Sequence, residues 1–414
     1  ILTMTGAFAQ VTTSSISGKL VDNEGPVQGA VIIAVHTPSG SQFTAVSDKN
    51  GIYRINGITP GGPYTVRIEC LGYRDIENTG IQAPLGETVT VDNVLEVESI
   101  GLEAVVFAVD ANDSGMNIER SGASTSISQR RMSTMPTVSR TFTDIMKLTP
   151  QASETSNGFA VGGGNYRSSF ATVDGAAFNN AFGTGSSILP SGGSPISLDA
   201  IEQMSVNITP FDVRQAGFTG AAINAVTKRG TNEWHASVYN YFNSDQLQGD
   251  RYGKGDDEKI NLSRTLNNVT GVTVGGPIVK DRLFFFLNAE YSPETTPGIN
   301  YVATGSDAAS GNAARPTVDF MNGVKDFLQK TYGYDPGRYQ NYSVASPDWK
   351  IMARIDWNIN DNHKLYARFS HTVNAVSSSP SSSTNPLDLD ELYVYGRTSD
   401  KAMYFESSRY IQNQ

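Results

Sequence analysis

"KIMARIDWNINDNHKLYARFS", Lys350 to Ser370, decides the fold. Ile351, Ala353, Ile355, Trp357 and Ile359 alternate with Lys350, Arg354, Asp356 and Asn358. After the polar stretch Asn360–His363 the beat resumes, with Leu365, Ala367 and Phe369 set against Lys364, Tyr366, Arg368 and Ser370. A period of two over each run predicts two strands joined by a tight turn. One face is apolar and the other is charged. Alternation does not say whether the apolar face turns into a core or out into lipid, so the surrounding sequence must decide.

The chain has 414 residues, room for several domains. Charged residues make up 17%, hydrophobic ones 38%, and there are 40 glycines, a balance that suits extended, exported β-proteins. The net charge of −10 and the lack of any Lys/Arg block argue against a nucleic-acid partner. No apolar run approaches the ~18 residues of a transmembrane helix, which leaves a soluble protein or a β-barrel. Cys70 is the only cysteine, so an intramolecular disulfide framework is excluded; it reads as a small buried apolar residue. "ILTMTGAFAQ" (1–10) reads as the end of a secretory signal with Ala7-Phe8-Ala9 as cleavage site, against the alternative of an ordinary apolar terminus. Residues 1–9 are therefore expected to be a signal remnant.

Working outward, residues 231–414 predict long strands with alternately short and long connections. Glu233–Phe242, Asn267–Gly276, Leu283–Tyr291, the two quoted strands and Ala402–Tyr410 are the candidates. Short turns on one side and long loops on the other, around strands of about ten residues, are the signature of an outer-membrane barrel. Trp234, Phe284–Phe286 and Trp357 fall near the short-turn ends, and Tyr291 and Trp349 near the long-loop ends, as two interfacial belts. The apolar faces are thus expected to meet lipid, with Lys350, Arg354, Asp356 and Arg368 facing a watery lumen. About six strands are readable, and an open sheet cannot stand in lipid with unpaired edges, so the chain is expected to be the N-terminal part of a longer protein.

Residues 10–98 predict a small β-sandwich. Strands are expected at Ile16–Val21, Ala30–His36, Gln42–Ser47, Ile52–Ile55, Tyr64–Cys70 and Thr88–Leu95, with closely spaced turn signals between them. Asp48-Lys49-Asn50-Gly51 lacks the downstream acidic ligand of a calcium loop and reads as a tight turn. Residues 99–122 contain "LEAVVFAV" (102–109), a short β-prone segment ahead of a polar linker. It reads either as a handle that adds to a partner's sheet edge or as the last strand of the sandwich. Residues 123–230 are Gly-rich and mixed, with a helix over Arg140–Leu148, a helical turn over Leu198–Gln203, a brief strand over Met204–Ile208, and loops between. Gly162-Gly163-Gly164 is not a phosphate loop, because no Lys-Ser/Thr follows it.

Several stretches carry family resemblances. "ISGKLVDNEGPVQGAVI" and "SDKNGIYRINGITPGGPYTVRIECLGY" resemble the carboxypeptidase regulatory-like domain, a transthyretin-like sandwich without catalytic residues. "MPTVSRTFTDIMKLTPQ" (135–151), "ATVDGAAFNN" (171–180) and "SLDAIEQMSVNITPFDVRQAGFTGAAINAVTKRGTNEWHASVYNYF" (197–242) resemble a TonB-dependent receptor plug running into its first barrel strand. "GGPIVKDRLFFFLNAEY" (275–291) is similar to the Oar-like branch of that family. "LEAVVFAV" resembles a TonB box, although Ala104 stands where an acidic residue usually precedes the valines.

The resemblance implies a mainly β protein: a sandwich, an α+β plug domain over 123–230, and the first strands of an antiparallel transmembrane β-barrel over 231–414. It implies an outer-membrane receptor of a Gram-negative bacterium, its N-terminal domains periplasmic, importing an extracellular nutrient with energy relayed from the inner membrane. The implied partners are a TonB-type energy-coupling protein at Leu102, Glu103, Ala104, Val105, Val106, Phe107, Ala108 and Val109, outer-membrane lipid, a surface lipoprotein, and a glycan, peptide or iron chelate as ligand. Plug-loop residues Tyr166, Arg167, Phe178, Asn179, Asn180 and Phe182 are the candidate ligand contacts, with packing against the barrel as their alternative role. The four histidines, His36, His235, His363 and His371, form no metal spacing, and no G-x-S-x-G elbow is present. Neither enzyme chemistry nor a cofactor is expected. The alternative function is a surface binding or adhesion protein that uses the sandwich as an interaction module.

Overall fold

A computed structural model describes residues 11–97, 105–108, 123–135, 140, 142–155, 158–179, 194, 196–208, 215, 217–247, 251–252, 259–260, 266–297, 302–306, 313–346, 348–360, 363–378 and 410–413. The expected signal remnant therefore lies outside the described residues, as does most of the strand expected at Ala402–Tyr410. Two compact units divide the chain. One takes its residues from 1–237, 273–289 and 351–371, the other from 238–272, 290–350 and 372–414.

In the first unit, two sheets form a sandwich. One sheet holds β1 (Ser14–Val21), β4 (Ile52–Ile58), β7 (Thr88–Thr90) and β8 (Asn93–Val94), with β1 at its centre. The other has the order β3 (Ser41–Val46), β2 (Val31–His36), β5 (Gly61–Glu69), β6 (Ile76–Ala83), β9 (Val105–Ala108). Alternate residues Ile16, Leu20, Ile32, Ala34, Tyr53, Ile55, Tyr64, Val66 and Ile68 point inward and build one apolar core. The expected strand Thr88–Leu95 is broken into β7 and β8, both parallel to β1. β6 was not anticipated, because Asn78, Thr79 and Gly80 are turn formers. Asn78 is buried there with its amide donating to the Asn93 side-chain oxygen at 3.3 Å.

The central part of the same unit is a mixed five-stranded sheet. Its order is β10 (Ser124–Ser128), β15 (Ile201–Asn207), β16 (Ala222–Thr227), β13 (Phe170–Val173), β14 (Ala176–Ala177), with only β13 and β16 parallel. Helices α1 (Gln129–Thr134) and α2 (Phe142–Met146) and the hairpin β11 (Ala152–Thr155) and β12 (Gly158–Val161) complete it. Three expectations are corrected. The helix over Arg140–Leu148 is only α2; the helical turn is limited to Leu198–Ala200 and runs into a seven-residue strand; and the supposed loops between them contain β12 and β13.

The remaining strands are β17 (His235–Ser244), β18 (Arg251–Tyr252), β19 (Lys259–Ile260), β20 (Leu266–Val279), β21 (Leu283–Tyr291), β22 (Glu294–Pro297), β23 (Val302–Thr304), β24 (Ala313–Thr317), β25 (Ser343–Ser346), β26 (Asp348–Asn358), β27 (Lys364–Ser378) and β28 (Tyr410–Asn413). One sheet runs β25-β22-β20-β21-β26-β27-β28, with β17 also paired to β20. The quoted stretch is β26, a tight turn and β27, as its alternation predicts. The stretch 292–347, expected to be one long loop, holds helix α3 (Val318–Tyr332) as well as short strands. Its ends are well capped: the Thr317 hydroxyl accepts the Phe320 N–H at 3.2 Å, and Gly333 closes it in the left-handed conformation at φ 65°.

Candidate functional site

The pleat of the long strands sorts their residues sharply. Ile355 is 47% exposed and Arg354, its neighbour, only 3%. Ile351, Trp357, Leu287, Leu365 and Phe369 are likewise exposed, whereas Lys350, Met352, Phe284 and Phe286 are buried. The outward face is thus the apolar one, and the charges of the opening stretch point inward, as expected. The belt needs one correction. Only Phe285 of the aromatic trio faces outward, edge-on to Trp234 at 5.3 Å, while Phe284 and Phe286 face in because successive side chains alternate. Phe286 and Met352 join the apolar core of the central sheet.

The inward charges converge on Asp174. Asp174 and Gly175 form the two-residue turn between β13 and β14, both with positive φ (48° and 81°), the conformation of a type I′ hairpin and the reason a glycine follows the aspartate. The turn holds the carboxylate in place. One oxygen accepts the Thr227 N–H at 2.9 Å and faces the Arg354 guanidinium at 3.4 Å. The other accepts the Thr227 hydroxyl at 2.7 Å and Arg368 at 3.0 Å. Arg354 also grips both oxygens of Asp356 at 2.8 Å and donates to the Thr227 hydroxyl at 2.8 Å. Its guanidinium lies 4.9 Å from the Tyr366 ring centre, and that of Arg368 lies 5.8 Å from that of Phe178. The central sheet is therefore tied to β26 and β27 by a buried, fully charged node. Such a tie is strong when complete and fails badly when one member is lost.

A second inward network lies in the other unit. The Tyr239 hydroxyl donates to Glu290 at 2.9 Å, and Lys350 bridges Glu290 and Asp348, each at 3.0 Å. The Tyr239 ring passes over Gly271, where a Cβ would come within 2.2 Å of it, so this glycine clears the path.

The sandwich meets the ends of the barrel strands through its β2–β3 turn. The Pro38 carbonyl accepts the Asn232 N–H at 2.8 Å, and the Asn358 amide donates to the Ser41 hydroxyl at 3.0 Å. Lys364 sits 3.3 Å above the Phe43 ring. Gln203 of the central sheet accepts the Leu85 N–H at 2.8 Å. Arg229 donates to the Thr59 hydroxyl at 2.9 Å. Burial, then the nearby charge of Arg354, works against the Arg229 cation. Burial pushes the Glu202 carboxyl up and the Lys228 amine down, each opposed by the other's charge.

The expected site residues fare unevenly. Val105–Ala108 pair in parallel with Ile76–Thr79, so this part of the handle forms the edge strand of the sandwich; Leu102, Glu103, Ala104 and Val109 lie outside the described residues. Tyr166 belongs to a 3₁₀ turn, its side chain outside the described set, and Arg167 in the same turn is exposed. Asn179 spends its side chain on β13, accepting the Ala171 N–H at 2.7 Å and donating to the Ser169 carbonyl at 2.8 Å. Phe178 packs against the central core. Asn180 and Phe182 lie outside the described residues. Among the described residues no group of three metal-ligating side chains occurs. The node at Asp174 was absent from the expected ligand set. Its signals were present, an Asp-Gly turn and two inward arginines, but their meeting depends on the tertiary fold.

Two domain families match this chain. Residues 15–96 match the carboxypeptidase regulatory-like domain, and residues 226–337 match an outer membrane beta barrel domain. The chain is 27% identical over 397 residues to the TonB-dependent transporter Oar of Myxococcus xanthus, covering 92% of this chain and 35% of that protein. It thus spans about a third of the length of the curated relative it matches. Among solved structures, the outer membrane transporter YddB from Escherichia coli aligns at TM-score 0.42 with 8% identity, covering 62% of this chain and 34% of that one. The siderophore receptor PirA from Acinetobacter baumannii aligns at 0.40 with 17% identity, covering 61% and 32%. Outward apolar strand faces, inward charges and the two domain matches together identify the chain as a Gram-negative outer-membrane β-barrel protein that carries a carboxypeptidase regulatory-like domain and resembles the Oar-like TonB-dependent transporters.

Proposed function

We propose that the protein binds an extracellular nutrient and imports it into the periplasm with energy relayed from the inner membrane. Residues 123–230 act as the plug, residues 231–414 as the beginning of the barrel, and residues 102–109 as the handle for a TonB-type partner. The observation that carries this reading is the Asp174 node: a compact domain fixed to inward-facing barrel residues by charges, with the apolar faces turned the other way. A stopper held by ion pairs and hydrogen bonds can exchange those bonds for water when it moves, whereas a greasy seal cannot.

The outer membrane lacks nucleotide, and the sequence has no phosphate loop, so force through an extended segment is a suitable drive. Val105–Ala108 are already extended at a sheet edge, the form in which a strand is added to a partner's sheet. The 27% identity to a TonB-dependent transporter across nearly all of this chain supports the same assignment. The curated relative is a transporter, which supports reading this protein as a carrier.

The test is to delete Leu102–Val109 in the full-length protein and measure uptake and surface binding side by side. Lost uptake with retained surface binding is expected, and a protonophore added to wild-type cells should have the same effect. Uptake that survives the deletion refutes the handle. Ligand retention with no energy-dependent uptake at all would mark a surface binding protein instead.

A further inference from the structure

Within the first unit, the sandwich, the central sheet and the strand ends surround a cavity of about 220 Å³. One water needs only roughly 10–15 Å³ of such space, so the cavity has room for a small polyatomic ligand. Ser39 and Thr59 line it from the sandwich, Arg229 from the segment after β16, and Arg354, Trp357 and Lys364 from β26 and β27. Three cations, Arg229, Arg354 and Lys364, face two carboxylates, Asp174 and Asp356.

Both carboxylates are committed. Asp356 is gripped by Arg354 through both oxygens, and Asp174 serves Arg354, Arg368 and Thr227. Lys364 rests on the Phe43 ring and the Gln42 carbonyl. Arg229 is different. Its hydrogen bond to Thr59 uses one of five N–H groups, and the carboxylates of Asp356 and Glu202 favour its charge without forming an ion pair with it among the described residues. Arg229 is half-buried on the cavity wall, and its other N–H groups are left for solvent or a ligand in the cavity. The planar fork matches the paired oxygens of a carboxylate or phosphate.

We propose that this cavity is a binding site for a small oxyanion, anchored by Arg229, which bridges the sandwich to the ends of the barrel strands. The site does not depend on the transport reading, because every residue in it belongs to the fold already described. It is too small for a nutrient that needs a wide barrel.

The test uses the full-length protein in an uncharged detergent at low ionic strength, titrated calorimetrically with inorganic phosphate and, separately, with acetate. Saturable binding of at least one is expected. Phosphate alone points to a phosphoryl group and acetate alone to a carboxylate. Arg229→Gln should weaken binding at least tenfold. Should that variant fail to assemble, Arg229→Lys keeps the charge, loses the fork and should still bind several-fold more weakly. No saturable binding of either anion to the wild-type protein, or equal binding by the Arg229 variants, overturns the proposal.

Discussion

β4 of the sandwich and β26 of the barrel sheet carry the same alternation and use it in opposite directions. In β4, Tyr53 and Ile55 are buried while Ile52 and Arg54 are exposed. In β26, Ile351, Ile355 and Trp357 are exposed while Met352 and Arg354 are buried. The sandwich therefore closes on hydrocarbon of its own, and buried hydroxyls such as those of Ser14, Ser47 and Tyr53 donate to backbone carbonyls. The barrel strands leave their hydrocarbon outside and bury charge, which is tolerable only because each inward charge meets an opposite one. Period two establishes a strand; which face turns inward is set by what the neighbouring segments offer it.

The largest effect should come from breaking the inward charge node. Asp174→Ala leaves Arg354 and Arg368 buried without their shared carboxylate. It is expected to cost about 3–5 kcal/mol, the usual penalty for removing one partner of a buried pair. Hydrogen exchange across β13 to β16 in the full-length protein should rise, while β1 to β6 of the sandwich stay protected. Uniform exchange across both regions would show that the node does not hold the central sheet.

The second effect tests the outward face directly. Leu287 is 47% exposed in the middle of β21. In a lipid setting Leu287→Arg should cost about 2–4 kcal/mol and lower the heat-resistant, assembled fraction of the full-length protein. Leu287→Ile should not. Ile55→Arg offers the matched contrast: it should unfold the sandwich and leave assembly in the membrane intact. Full assembly of Leu287→Arg would mean that this face meets water.

The third effect separates the two regions by pH. His36 is buried beside the Tyr64 ring at 5.0 Å, with Arg229 and Lys364 nearby and the Ser39 hydroxyl 2.7 Å from Nδ1. Burial, then the two cations, pull its pKa from 6.5 to about 3. The folded sandwich keeps His36 neutral, whereas the unfolded chain takes up a proton below pH 6.5. Stability is therefore complete above that pH and is lost as pH falls from 6.5 towards 3. At pH 5 the loss is roughly 2 kcal/mol. Exchange in β2 and β3 should quicken between pH 8 and pH 5, and His36→Phe should flatten that response. A response equal in His36→Phe would place the titration elsewhere.

Much of this was legible in the sequence, and the failures have physical causes. β21, β26 and β27 were readable because one face of each is wet or lipidic, which keeps the alternation visible. β16 was not, because all six residues of Ala222–Thr227 are buried, and its parallel partner β13 is nearly so, leaving no period to read. α3 is hidden differently: Thr317, Asp319, Lys330 and Gly333 supply its start and stop signals, but it lies inside a long segment between strands that otherwise reads as loop. Arg354 and Arg368 were correctly turned inward, but their meeting at Asp174 joins residues nearly two hundred positions apart.

The smallest effect concerns how the sandwich handles a buried polar atom. Tyr53 is fully buried and its hydroxyl donates to the Val91 carbonyl at 2.7 Å; burial also pushes the phenol pKa well up, so no charge arises at working pH. Tyr53→Phe keeps the ring and its packing but leaves that carbonyl with one bond fewer. A loss of about 1 kcal/mol is expected, seen as faster exchange in β1 and β4 with no change in membrane assembly. The contrast with Asp174 is then quantitative. A neutral hydroxyl on a backbone carbonyl is a local convenience of a self-sufficient core, and its removal disturbs only its neighbours. A carboxylate shared by two arginines joins separate stretches of chain, so its loss should be felt along the whole central sheet. If Tyr53→Phe proved as damaging as Asp174→Ala, the two regions would not differ in kind, and the barrel strands would have to be held by packing rather than by charge.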